Sequence, residues 1–254
     1  MPRVLTSFIA VLSVLLCTLS TALVATPAHA ADPLRVLMTG DSITHGRHFD
    51  YTWRYRLDRE LRRQGVAFDF VGSASTPYQD VGFPASTYAD PNFDRNHFAR
   101  AGWELREMVG QIEDEVREQQ PDVVVLGAGI NDFRHHPNDP TIVGLTADRL
   151  RDWIRNVRDG KSDTRILLSP VLSVDTPATS DLNPKAAAYN AAMKGIAAEM
   201  TTDESPITVA TTDQGWVPEG PMTWDGLHPS TVGETWIAHR IAQALKRAYP
   251  GLQT

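Results

Sequence analysis

Three short stretches of the chain carry side chains able to do chemistry together. Gly40-Asp41-Ser42-Ile43-Thr44-His45-Gly46 offers a hydroxyl, Gly129-Ile130-Asn131-Asp132 an amide beside a carboxylate, and Asp225-Gly226-Leu227-His228-Pro229 a carboxylate and an imidazole three residues apart. A hydroxyl becomes a useful nucleophile at neutral pH when a base lies within hydrogen-bond reach and a third group fixes the base's tautomer. If such a group attacks an acyl carbon, a preplaced amide can hold the oxyanion that forms. Each stretch taken singly has a plainer reading. Gly-Asp-Ser and Gly-x-Asn-Asp are ordinary turn compositions, and Asp225 or Ser230 can cap a following helix. Two other classes stay open. One is a metal-dependent phosphoesterase with Asp41, Asn131, Asp132 and His228 as hard donors, which calls for more His and Asp near the first strand than the chain supplies. The other is a carbohydrate-binding protein without catalysis.

The elements that must position these stretches alternate between strand and helix. Short apolar runs at Leu34–Thr39, Val66–Val71, Val123–Gly127, Arg165–Ser169 and Ile207–Ala210 read as strands, and the unbroken Val123-Val124-Val125-Leu126 suits one covered on both faces. Helical periodicity fills Tyr51–Gln64, Trp103–Gln119, Thr141–Val157, Pro184–Met200 and Ser230–Ala248. From Ser73 to Ala101 little periodicity survives, and a long loop is expected there. Five strands separated by helices predict a three-layer α/β/α sandwich on a mostly parallel five-stranded sheet. Ligands of such sheets bind beyond the carboxyl ends of the strands, which is where all three stretches fall.

The whole chain has 254 residues, 24 Lys+Arg against 31 Asp+Glu, and a formal charge of -7, which argues against a nucleic-acid or anionic-membrane partner. Gly and Pro are scattered without period, so a collagen-like or low-complexity chain is excluded. A charged start at Arg3, an apolar run from Val4 to Val24 and Ala28-His29-Ala30 predict a secretory signal peptide over residues 1–30, leaving a single domain at 31–254. Cys17, the only cysteine, goes with that leader. A mature exported chain therefore has no thiolate nucleophile, no Cys-ligated zinc and no disulfide.

The order of the three motifs is more specific than any one of them. Ser in Gly-Asp-Ser, a Gly in a second block, Asn in Gly-x-Asn-Asp and a closing Asp-x-x-His resemble the SGNH (GDSL-type) hydrolases over residues 34–248. The resemblance implies their flavodoxin-like fold and a serine esterase needing no cofactor and no metal. Carried over, it makes Ser42 the nucleophile, His228 the general base and Asp225 its orienting acid. The oxyanion donors are then the Ser42 N–H, the Gly102 N–H and the Asn131 side-chain amide. Gly72 and Gly82 could replace Gly102, which is preferred because Trp103 and a helix follow it. Asp41 and Asp132 are expected to hold backbone rather than substrate, His45 to face solvent, and His135-His136 to lie in an exposed polar loop.

Leu34–Ser73, with Tyr55-Arg56 and Phe68-Asp69-Phe70-Val71-Gly72-Ser73, looks like the secreted acetylxylan-esterase branch. That implies removal of acetyl groups from polysaccharide. The chain departs from this branch at Phe98-Ala99-Arg100-Ala101, where a His-Glu-Gly element is usual. Trp103, Trp216 and Trp224 are candidates for a sugar platform. The alternative within the family is a lipase or arylesterase acting on lipid or small esters, and no long apolar lid of the kind a long-chain lipase needs is visible. The expected partner is a small or polymeric ester, met by a secreted monomer.

Overall fold

A computed structural model describes residues 32–78, 87–176 and 182–250. The expected leader and Gly82 lie outside the described residues. Residues 32–254 cluster as one unit, built on β1 (Leu34–Gly40), β2 (Phe68–Val71), β3 (Phe98–Ala99), β4 (Val123–Gly127), β5 (Arg165–Leu168) and β6 (Ile207–Val209). Every ladder is parallel, and the main order is β2-β1-β4-β5-β6. β3 is a sixth strand inside the stretch expected to be a loop. It pairs with Thr39 and Gly40, taking up the edge of β1 where β2, paired with Leu34–Leu37, leaves off. Two residues of strand leave no period to read, so pairing with β1 alone creates this element.

Strand alternation divides the apolar residues between two cores. Leu37, Val124, Leu126, Ile166 and Leu168 face one layer, containing α3 (Leu105–Val109), α4 (Ile112–Gln119), α5 (Ile130–His135), α6 (Ile142–Gly160) and α7 (Leu182–Met200). Val36, Met38, Val123, Val125 and Leu167 face the other, made by α2 (Thr52–Arg63) and α8 (Thr231–Ala248). The expected three layers are present. α1 (Ser42–His45) and α5 carry no sequence periodicity of their own, being one to two turns long.

The helix expected over Trp103–Gln119 is two helices. Glu104 starts α3 with a capping box to Glu107, Gly110 weakens its continuation, and the Gln111 side-chain amide donates to the Glu107 carbonyl at 2.9 Å. That bond satisfies an acceptor the broken helix releases.

Because the strands are parallel, their carboxyl ends gather the loops after β1, β3 and β4 along one rim. Gly40 allows a close approach there. A Cβ on it would lie 2.4 Å from Thr44 Oγ1 and 2.5 Å from the Gly127 carbonyl.

Candidate active site

Ser42 is the first residue of α1, directly beyond β1. Asp41 caps the helix by accepting the Ile43 N–H at 3.0 Å. Its carboxyl is buried, and that burial pushes its pKa up to about 7. Asp41 is therefore spent on shaping the turn. As the opening residue of a helix, Ser42 leaves its own N–H without an intrahelical acceptor.

His228 arrives from the loop before α8, 186 residues away in sequence, and places Nε2 3.0 Å from Ser42 Oγ. Asp225 organises that loop with both oxygens. Oδ1 accepts the backbone N–H of Leu227 at 3.0 Å and of His228 at 2.7 Å, while Oδ2 lies 2.7 Å from His228 Nδ1. Burial alone would raise the Asp225 pKa, but the bonds from the His228 ring and from the backbone outweigh it and hold the carboxyl below its ordinary value. An ionised carboxylate only accepts, so Nδ1 carries the ring proton and Nε2 presents its lone pair to the serine hydroxyl. Gly226 makes the bend possible: its φ is +80°, and a Cβ would sit 1.8 Å from the Asp175 carbonyl.

Gly102 occupies the third position of a turn from Arg100 to Trp103, closed by Trp103 N–H to the Arg100 carbonyl at 3.2 Å. Its φ of +83° suits a type II turn. Its N–H meets no acceptor among the described residues. Ser42, Gly102 and His228 line one cavity of about 370 Å³, with Arg47, Asp50, Tyr78, Ala101, Arg134, Trp224 and Glu234 in its wall. Gly72 is not among those wall residues; its missing side chain makes room for the His97 backbone, 2.3 Å from where a Cβ would be.

Asn131, the second residue of α5, is buried and does not form part of that wall. Its amide donates to the Trp103 carbonyl at 3.1 Å, and its oxygen accepts from Arg134 at 3.1 Å. Its second amide hydrogen meets no acceptor among the described residues. Asp132 receives the Leu105 N–H at 2.9 Å and Arg149 at 2.7 Å, tying α5 to α3 and α6. Among the described residues no group of three or more His, Cys, Asp and Glu is arranged to hold a metal ion.

The three tryptophans separate. Trp224 is 52% exposed, lies nearly parallel to the His228 ring at 5.5 Å, and carries the Arg47 guanidinium over its own ring at 5.1 Å. Trp216 is corrected from platform to core: it is 7% exposed, and its indole N–H donates to the Ser173 carbonyl at 3.0 Å. Trp103 is also not a wall residue. It is partly buried beside Phe98 at 5.2 Å, and what it offers the site is its carbonyl.

His45 differs too from the expected solvent-facing residue. Its Nδ1 accepts the Ala101 N–H at 3.1 Å, and its Nε2 lies 3.0 Å from the Thr76 carbonyl. Burial, reinforced by Arg54, lowers its pKa to about 4. His135 and His136 pair with Glu104 at 2.9 and 3.3 Å. Sequence reading missed Arg47, Asp50, Tyr78, Arg134 and Glu234 as wall residues. For Arg134 a signal existed, since i and i+3 from Asn131 share a helix face; Arg47 directly follows the Gly40–Gly46 stretch, and Asp50, Tyr78 and Glu234 lie outside the three stretches.

A parallel α/β sheet with a hydroxyl, imidazole and carboxylate aligned at its carboxyl edge defines the class as a hydrolase of this three-layer type. The GDSL-like lipase/acylhydrolase family matches residues 38–236, and the chain belongs to it. The protein is accordingly an esterase of the SGNH kind. No curated protein sequence matches it. Among solved structures, it is similar in fold to an acetyl esterase mutant with acetate ion (22% identity, TM-score 0.69, covering 85% of this chain and 97% of that one). A carbohydrate esterase family 3 protein from Talaromyces cellulolyticus gives the same identity, coverage and score. A Clostridium thermocellum family 3 carbohydrate esterase aligns at 22% identity and TM-score 0.68, covering 88% of this chain and 100% of that one.

Proposed function

We propose that the protein is a secreted serine esterase that removes acetyl groups from carbohydrate. The observation that carries this reading is the chain Ser42 Oγ, His228 Nε2, His228 Nδ1, Asp225 Oδ2, with links of 3.0 and 2.7 Å, opening on a cavity also lined by Gly102, whose N–H meets no acceptor among the described residues. Ser42 Oγ attacks the acetyl carbonyl carbon while His228 Nε2 takes its proton. The former carbonyl oxygen becomes an oxyanion, met by the N–H groups of Ser42 and Gly102 and by the remaining amide hydrogen of Asn131. Collapse breaks the ester bond, and the sugar oxygen leaves with the proton from His228. Water then gives its proton to Nε2 and attacks the acetyl-serine, releasing acetate and restoring the hydroxyl. Each oxyanion donor is worth about 10²–10³ in rate.

The sugar assignment rests on the wall of the cavity. Trp224 and Tyr78 offer aromatic faces for pyranose stacking, and Asp50, Arg47 and Arg134 offer polar groups for hydroxyls. The neighbours named as carbohydrate esterases lend support. The residue 1–30 leader carries the chain out of the cell, where it works as a monomer without cofactor.

The test is acetate release from acetylated polysaccharides alongside short- and long-chain aryl esters. The expected result is turnover of acetyl esters, little of long-chain ones, and a loss of at least 10³-fold in Ser42→Ala with folding retained. Undiminished turnover in that variant would sink the mechanism. An aryl phosphatase activity abolished by EDTA, without acetyl esterase activity, would establish the metal-dependent reading instead.

A further inference from the structure

His45 belongs to the helix that carries the nucleophile, yet both its ring nitrogens bond to other segments. Nδ1 receives the Ala101 N–H at 3.1 Å, and Nε2 is 3.0 Å from the Thr76 carbonyl. His97 repeats the arrangement, with Nδ1 receiving the Ala99 N–H at 3.1 Å and Nε2 3.2 Å from the same carbonyl. A carbonyl only accepts, so both rings carry their proton on Nε2. Both Nδ1 atoms then present lone pairs, as the Ala99 and Ala101 N–H groups require. The two rings sit 5.2 Å apart.

We propose that neutral His45 is a positioning residue for the oxyanion site, locking the Ala101-Gly102 turn to the nucleophile helix so that the Gly102 N–H stays aimed into the cavity. The inference rests on the reading of Gly102 as an oxyanion donor. Ala101 and Gly102 are neighbours in the cavity wall, and outside the turn closed by Trp103, the bonds holding this segment are few. Arg100 N–H reaches the Gly40 carbonyl at 3.1 Å, and Ala101 N–H reaches His45. One side chain on α1 thus connects the segments that supply two of the three donors.

Protonating His45 would place a second N–H against the Ala101 N–H and break the lock. Burial and the cationic groups near the ring oppose that protonation and outweigh the Thr76 carbonyl, which favours it. Arg54 from α2 donates to the His45 carbonyl at 3.1 Å, and Arg100 acts from the turn. His97 and Tyr78 face the ring, Tyr78 edge-on at 6.2 Å. Tyr88 hydroxyl donates to the His45 carbonyl at 3.0 Å. None of these is a carboxylate that would favour the charged ring.

The experiment compares wild type, His45→Ala, His45→Gln and Ser42→Ala on an aryl acetate. His45→Ala is expected to lose about 10- to 100-fold in kcat, a fraction of what removing a whole donor costs, with KM within about threefold. His45→Gln, whose amide can accept from Ala101 and donate to Thr76 without ever becoming charged, is expected to restore kcat to within about fivefold of wild type. Below pH 5 the wild type is expected to lose kcat/KM with a slope steeper than one proton, and His45→Gln to lose one proton of that slope. If Ser42→Ala is dead while His45→Ala keeps full kcat, or changes KM alone, the positioning role is wrong and the esterase reading stands. If Ser42→Ala is active, the esterase reading itself fails. Should His45→Ala not fold, nitrogen NMR of the wild-type ring decides: a proton on Nδ1, or titration above pH 5, overturns the proposal.

Discussion

Asp225→Asn preserves shape and exchanges one acceptor for a donor, and the backbone decides which one. Asp225 Oδ1 accepts two N–H groups, from Leu227 at 3.0 Å and His228 at 2.7 Å, so the amide oxygen must occupy that position. The NH₂ then takes the place of Oδ2 and points at His228 Nδ1 across 2.7 Å. Nδ1 must answer with a lone pair, and the ring proton moves to Nε2. There it faces Ser42 Oγ at 3.0 Å as a donor, where the mechanism needs an acceptor. Turning the amide over to restore the active tautomer gives up the two backbone bonds, about 1–3 kcal/mol together, and opposes donor to donor as well. At about 1.4 kcal/mol per decade the bonds alone hold back one to two decades of rate, and the corresponding change in a serine protease triad costs about 10⁴. The expected outcome is a fall in kcat of about 10²–10⁴ on an aryl acetate, with KM within about threefold. Calorimetry should show Tm shifted by only a few degrees, and ring nitrogen NMR should show the proton on Nε2. A variant with kcat within tenfold of wild type would refute both the orienting role of Asp225 and the tautomer argument.

Gly226→Ala is expected to destabilise the protein by about 3 kcal/mol or more, because its Cβ would lie 1.8 Å from the Asp175 carbonyl; a Tm within 2 °C of wild type would contradict this. Trp224→Ala should raise KM for oligosaccharide acetates about three- to tenfold, the worth of one ring contact, and raise it less for an aryl acetate. Equal shifts on both substrates would remove the sugar platform. Glu234 is buried, and that burial, with the Asp50 charge, pushes its carboxyl up to about 8 despite Arg56 and the Thr52 N–H. The folded state then keeps a proton that the unfolded chain releases near pH 4, so this group's contribution to stability is full at low pH and is lost as pH rises toward 8. Between pH 5 and 8, Tm should therefore fall more in wild type than in Glu234→Gln. Asp41, raised to about 7, contributes with the same sign in both proteins, so an equal fall would count against the Glu234 argument.

The sequence alone determined what depends on local order. The apolar runs of β1, β4 and β5 were legible because burial on both faces writes itself into composition, and the partly buried β2 and β6 and the intervening helices because short apolar runs and helical periodicity mark them. The three motifs were legible because each is a short stretch of contiguous residues beside a strand or helix end, whose types can be read in order along the chain. Local reading reached even Asp41 as a turn-holder, since its partner Ile43 is two residues away.

Only the tertiary structure decided what depends on distant segments meeting. No periodicity marks β3, whose partner lies in β1. Residue type alone does not separate Trp216, buried with its indole N–H on the Ser173 carbonyl, from Trp224, laid open against His228. His45 has no acid at the three-residue spacing that joins Asp225 to His228, and its bonds to Thr76 and Ala101 cross 31 and 56 residues. The order of motifs names the groups that could react. Packing of the loops at one sheet edge brings a hydroxyl and an imidazole within 3.0 Å across 186 residues of chain, because parallel strands put all their carboxyl ends on the same side.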